Sequence, residues 1–212
     1  TEQRERARPK ADGTGASAGE AFYTIRASEL EQLLGQLRRL GYQTVSAKQI
    51  RGWQEGRHPL PERAVMLSFD DGYVGQFDHV APLLVRYRFT GTFFVATGRV
   101  GRPGYMSWEQ LRKLVFLGME INSHGVTHRP LTSLSLTELT AELTDSKAAL
   151  EAQLGIRAEA LAVPGGFWNR TVTEVAKQVG YDTVWASTIG TNGRQTHPLA
   201  LRRVIVRRPF SP

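Results

Sequence analysis

The sequence predicts an α/β fold: a parallel sheet flanked by helices and curled into a deformed or incomplete (β/α) barrel. Three observations carry this expectation. Short apolar runs of three to six residues alternate with amphipathic segments of ten residues or more. Most of those segments open on a Ser or Thr with Glu or Gln three residues later and close on Gly, the marks of helix ends. About six such strand–helix units follow one another, which fits an incomplete barrel better than an open sheet.

The elements follow in order. Residues 1–20 are polar and charged, with Gly, Ser, Ala and Pro ("RPKADGTGASAGE"), and read as a flexible leader or linker. Residues 21–212 read as one domain. Its first helix is "ASELEQLLGQLRRLGY", with Ser28 and Glu31 at capping-box spacing and an apolar stripe of Leu30, Leu33, Leu34, Leu37 and Leu40. "AVMLSF" (64–69) is the first buried strand, and a less regular helix covers Phe77 to Tyr87. "TFFVA" (92–96) is followed by the helix "SWEQLRKLVFLG", with Ser107, Gln110 and Gly118 as its start and stop. "MEINS" (119–123) precedes a long helix opened by Ser135 and Glu138 and closed by Gly155. The strand "ALAV" (160–163), a helix with Thr171, Glu174 and Gly180, and the strands "TVWAS" (183–187) and "VIV" (204–206) complete the series.

Composition excludes several classes of function. The chain of 212 residues suffices for one sizeable core. It has no cysteine, so neither a disulfide frame nor a thiolate metal site can form. The net charge of +7 reads as an arginine-rich surface, with attraction to an anionic partner such as a cell envelope as the alternative; no nucleic-acid motif accompanies it, and no nucleic-acid partner is expected. No apolar run is long enough to span a membrane. The chain begins at Thr1 rather than Met, which leaves room for a signal or anchor removed ahead of it.

Chemistry concentrates where predicted strands end. In "VMLSFDDGY", Val65 to Tyr73, an apolar strand runs into two adjacent carboxylates, Asp70 and Asp71. Repulsion and desolvation oppose that placement, and a bound cation would offset both. After "MEINS" comes "HGVTHRPL", with His124 and His128 four apart on a strand-end loop. After "ALAV" comes "PGGFWN". In a β/α fold these strand ends share one rim. Two histidines and one carboxylate make a three-ligand site for a divalent ion, with a position open for water. The other carboxylate is then free to act as general base.

These strings resemble the motifs of the polysaccharide deacetylases, carbohydrate esterase family 4, over nearly the whole chain, from about Phe22 to Val206. The family's "TFDDG"-like motif stands here as "SFDDG" and its "HSxxH"-like motif as "SHGVTH". The resemblance implies a deformed β/α barrel, with Asp70 as the base. It implies Asp71, His124 and His128 as ligands of a metal, usually zinc, with cobalt or nickel as alternatives. The third motif departs from the pattern: Ala162 takes the place of an Arg that braces the base, and Gly165 the place of an aromatic residue. The backbone N–H of Gly165 still suits an oxyanion. The fourth motif's acidic residues are missing after Trp185, and His197 is the histidine left downstream for the general acid.

The expected activity is metal-dependent removal of N-acetyl groups from an N-acetylglucosamine polysaccharide: peptidoglycan, poly-N-acetylglucosamine or chitin oligomers. Tyr73 and Trp168, in strand-end loops, are candidates to bind the sugar. An extracellular or cell-envelope setting follows from such a polymer. The alternatives are an O-acetyl esterase on a glycan such as xylan, and a glycan-binding module with little turnover.

Overall fold

The computed structural model describes residues 25–206, so the leader expected over 1–20 lies outside the described residues. Its centre is a parallel sheet of six strands in sequence order: β3 (Ser68–Asp71), β4 (Thr92–Val95), β5 (Glu120–Ser123), β6 (Ala160–Ala162), β7 (Thr183–Ile189) and β8 (Leu201–Arg203). Between them run α3 (Ala81–Arg86), α4 (Trp108–Phe116), α5 (Leu136–Leu154) and α6 (Arg170–Val179). Ahead of the sheet lie α1 (Ala27–Arg39), α2 (Ala47–Gln54) and a small parallel pair, β1 (Gln43–Thr44) with β2 (Ala64–Val65). β3 and β8 are the end strands, and they are not hydrogen-bonded to each other. The sheet is therefore a curled half-barrel, as the strand–helix rhythm predicts.

Strand alternation separates two packed faces. Phe93, Leu161 and Val184 face outward, against helices: Phe93 joins Leu34, Leu84, Leu111 and Leu114, while Leu161 and Val184 join Leu139, Leu143, Val172 and Val175. Their neighbours Phe94, Ala160, Ala162, Trp185 and Leu201 face inward, packed with Ala47 and Ile50 of α2. Small Ala160 and Ala162 leave room for Phe94 and Trp185 on the concave side.

Capping boxes act where the sequence places them at Ser107 and Ser135, whose hydroxyls accept from the N–H groups of Gln110 and Glu138. Two other helix starts differ. α1 begins at Ala27, and the Glu29 carboxylate accepts from the N–H of Arg26, so the box lies two residues ahead of Ser28. α6 is capped by Asn169, which accepts from the N–H of Val172, rather than by Thr171. A box at Ser46 and Gln49 opens α2, a helix absent from the sequence reading. The last strand is also displaced: β8 ends at Arg203, just before "VIV". That shift places an arginine, not an aliphatic run, at a strand's carboxyl end.

Phe93 is fully buried and stacks on Phe69 with ring centroids 5.1 Å apart. Phe93→Ala is expected to lower the unfolding free energy by about 3–5 kcal/mol, measured by denaturant titration.

Candidate active site at the carboxyl ends of the strands

The first motif is shaped by backbone constraints. Asp71 has φ 76°, in the left-handed region, and Gly72 follows at φ 84°. A Cβ on Gly72 would lie 3.1 Å from Val95, so the turn needs glycine there. The loop beyond β4 straps this turn down: Met106 N–H donates to Gly72 O, Val74 N–H donates to Gly104 O, and Tyr73 bridges Tyr105.

His124 and His128 close on Asp71 from β5. Nε2 of His128 lies 2.8 Å from Asp71 Oδ1, and Nε2 of His124 lies 3.7 Å from it. The ligand atoms of the three residues are all within 4.8 Å of one another. His124 is buried, and its Nδ1 sits 2.8 Å from Ala162 O. Nδ1–H therefore donates to that carbonyl, and the lone pair of Nε2 faces Asp71. Burial pushes the His124 ring's pKa down, against the pull of Asp70 and Asp71, which keeps it neutral. Burial also opposes the charge on Asp71, but His128, His124 and Arg99 together outweigh it and hold that carboxyl below its ordinary range.

Asp71 Oδ1 is nonetheless buried with no regular hydrogen bond, and Nε2 of His128 is the atom that approaches it most closely, at 2.8 Å. A buried carboxylate oxygen is thus left facing two imidazole nitrogens. Nε2 of His124, Nε2 of His128 and Oδ1 of Asp71 lie close around one point, and one imidazole is braced from behind by a carbonyl. This donor set fits a divalent cation.

The loop carrying the histidines is held by Glu142 of α5. Its carboxylate, mostly buried, accepts from the N–H groups of Val126 (2.8 Å) and Thr127 (2.7 Å) and from the Thr127 hydroxyl. Gly125, at φ 76°, passes so close that a Cβ would lie 2.8 Å from Glu142 Oε1. His128 then takes φ 62°, a conformation a bulky side chain adopts only under constraint.

Asp70 is held apart from this cluster. Nη1 of Arg203 donates to both of its carboxylate oxygens at 2.8 Å, and Nε of Arg203 donates to Ala186 O at 3.1 Å. The guanidinium is nearly buried and lies over the Phe94 ring. The Gln76 amide donates to Asp70 O. A guanidinium thus braces Asp70 even though position 162 is alanine; it comes from the other end strand of the sheet.

The remaining expected residues fall on and off this rim. Tyr73 stacks on Tyr105, with centroids 5.0 Å apart. Gly165 lies at φ 68° in the turn after β6, and Trp168, exposed, in the loop beyond it. His197 is not brought into the cluster. It precedes β8, at the end of the strand opposite Arg203, and its Nδ1 accepts from the N–H of Leu199. The sequence reading missed Arg203, Arg99, Tyr105 and Glu142. For Arg203, the available signal was an arginine ending the run "LALRR", where a strand displaced by three residues would place it on the rim.

Residues 57–184 match the polysaccharide deacetylase family. The chain belongs to it. Among curated relatives, this deacetylase-family chain is 26% identical over 166 residues to the putative polysaccharide deacetylase YxkH of Bacillus subtilis, covering 78% of this chain and 60% of that one. It is 33% identical over 132 residues to the peptidoglycan-N-acetylglucosamine deacetylase of Bacillus cereus, covering 59% of this chain and 57% of that one. The chain therefore spans less than two thirds of the length of either relative. Among solved structures it resembles the Streptococcus pyogenes deacetylase PplD in complex with acetate, with TM-score 0.84, 25% identity, and coverage of 89% of this chain and 86% of that one.

Glu142→Ala removes the acceptor for three donor groups of the histidine loop. Its affinity for a divalent ion, measured by chelator competition, is expected to fall by about 10- to 100-fold. Glu142→Gln keeps an acceptor oxygen and is expected to lose less.

Proposed function

We propose that this chain hydrolyses N-acetyl groups on an N-acetylglucosamine-containing polysaccharide of the cell envelope or its surroundings, as a metal-dependent deacetylase. The observation that carries this reading is the division of the adjacent carboxylates. Asp70 is paired with Arg203, while Asp71 faces the two histidines. One acid is thereby reserved for proton transfer and the other for a cation, an arrangement suited to hydrolysis.

Asp71, His124 and His128 would hold the ion, with zinc best matched to two imidazoles and a carboxylate. Bound there, it would supply Lewis-acid polarisation of the acetyl carbonyl and a lowered pKa for water. Asp70 takes a proton from the attacking water, while Arg203 fixes the direction of its carboxylate. The N–H of Gly165 donates to the oxygen that gains charge as the carbonyl becomes tetrahedral. When the C–N bond breaks, the departing nitrogen needs a proton. His197 lies at the wrong end of β8 to give it, so Asp70 returns the one it took. The products are a free amine on the sugar and acetate. Tyr73 and Trp168 offer ring faces to the sugar.

The reading is tested by acetate release from peptidoglycan, chitin oligomers and poly-N-acetylglucosamine, with acetylated xylan as the ester arm. Amide substrates should be turned over in a chelator-sensitive way. Turnover of xylan alone would make the chain an esterase, and no turnover at all would make it a binding module. Asp70→Asn should keep its metal content and lose at least about a hundredfold in kcat, because the amide cannot accept the proton.

Arg203→Met is expected to lower kcat by about a hundredfold through loss of aim, again with metal content unchanged. Arg203→Lys keeps the charge but loses the Nε contact to Ala186 O that anchors the guanidinium, and should recover only part of that loss. Steady-state kinetics with metal analysis checks both.

A further inference from the structure

The rim holds one more cation that the reaction does not use. Arg99 ends the single turn Thr97–Arg99 that follows β4. That turn is stitched to the histidine loop, since the N–H groups of Thr97 and Gly98 donate to Gly125 O and Val126 O at 3.0 Å. Gly98 must be glycine for this contact, because a Cβ there would lie 2.7 Å from Val126 O. On its other side, Nη1 of Arg99 donates to the Tyr105 hydroxyl at 3.0 Å, and the guanidinium lies over the Tyr105 ring at 5.4 Å. Tyr105 in turn stacks on Tyr73. The guanidinium is thus held in a fixed place, with a quarter of its side chain exposed.

No carboxylate among the described residues reaches Arg99 within hydrogen-bond distance. Asp71 Oδ1 is the closest acidic oxygen paired with it, at 3.9 Å, and that oxygen faces the histidines. Asp70 and Asp71 are already balanced by Arg203 and Arg99. A divalent ion therefore leaves its charge uncompensated, beside a guanidinium with spare donors. Such a cleft favours an anion. The chain's net charge of +7 acts in the same direction at long range.

We propose that Arg99, on the Tyr105–Tyr73 platform, recognises an anionic substituent of the glycan, a carboxylate or a phosphate ester, next to the N-acetylated sugar. This rests on the deacetylase reading for the identity of that sugar. The substrate is then an acidic glycan, and neutral chitin-like chains are the weaker ligands.

Equilibrium binding by calorimetry tests this without turnover. The zinc-loaded Asp70→Asn chain, which keeps its metal but barely turns over and serves as background for each variant below, is titrated with a hyaluronan tetrasaccharide, which alternates N-acetylglucosamine with glucuronate, and with neutral chitotetraose. A second pair is N-acetylglucosamine 1-phosphate and methyl N-acetylglucosaminide. The anionic member of at least one pair should bind about 10- to 100-fold tighter, as expected for a charge-assisted pair. The pair that shows it identifies carboxylate or phosphate. Arg99→Gln should abolish the preference and leave neutral affinity within about twofold, while Arg99→Lys should keep part of it. Equal binding of both members, or binding of neither, overturns the proposal. So does a preference that survives in Arg99→Gln, or an equal loss on both members, which would make Arg99 only a support for Asp71. If the preference holds but no substrate releases acetate, the deacetylase reading fails and the anion site stands.

Discussion

The layout of the rim turns on the ion pair between Asp70 and Arg203. The two residues stand on the end strands of an open sheet and are 133 positions apart in the chain. The backbone leaves the half-barrel unclosed between β3 and β8, and at the rim a side-chain contact spans the seam. This contact also resolves an electrostatic conflict. Two adjacent carboxylates repel, and withdrawing them from water strengthens that repulsion. Compensating both from one cation would place them in the same role. Bringing a guanidinium to Asp70 from β8, and two imidazoles to Asp71 from β5, separates them.

The substitution at position 162 becomes intelligible in this light. Family resemblance places there an Arg that braces the base, and this chain has Ala162. The inward face of the sheet shows what the small residue allows: Ala160 and Ala162 make room for Phe94 and Trp185, and Phe94 is the ring over which Arg203 lies. Ala162 keeps a role through its carbonyl, which fixes the His124 tautomer. One position thus serves the imidazole through backbone, while Asp70 takes its cation from a strand further along.

What the sequence made legible was local. The α/β rhythm and the caps at Ser107 and Ser135 rest on residues close in the chain, and the grouping of "DDG" with "SHGVTH" follows from that rhythm, because both strings end strands that share one rim. Displaced features were those decided by small local differences: Arg26 and Glu29 in place of Ser28 and Glu31, or Asn169 in place of Thr171. Arg203 and Glu142 were illegible for another reason. An arginine before "VIV" and a glutamate in an amphipathic helix both read as solvated charges. Only the curl of the sheet and the packing of α5 against the loop after β5 turn them inward.

Glu142 also explains how the histidine loop holds its shape. Left-handed backbone at a residue such as His128 costs about 1–3 kcal/mol and persists only when the surroundings over-determine it. Gly125 lets the chain approach α5, and the carboxylate gathers the next two N–H groups. Ser146 adds its hydroxyl to Gly125 O and to Ser123. A charge-assisted hydrogen bond contributes about 1.5–3 kcal/mol, so two of them suffice to hold the strained turn. The histidine pair is thus aimed before any ligand arrives, and binding need not supply the energy to form the loop. The same economy applies at Asp70, whose partner is in place on the far strand. The rim is thus preorganised on both sides of the seam, the condition under which fixed dipoles and charges act without reorganising.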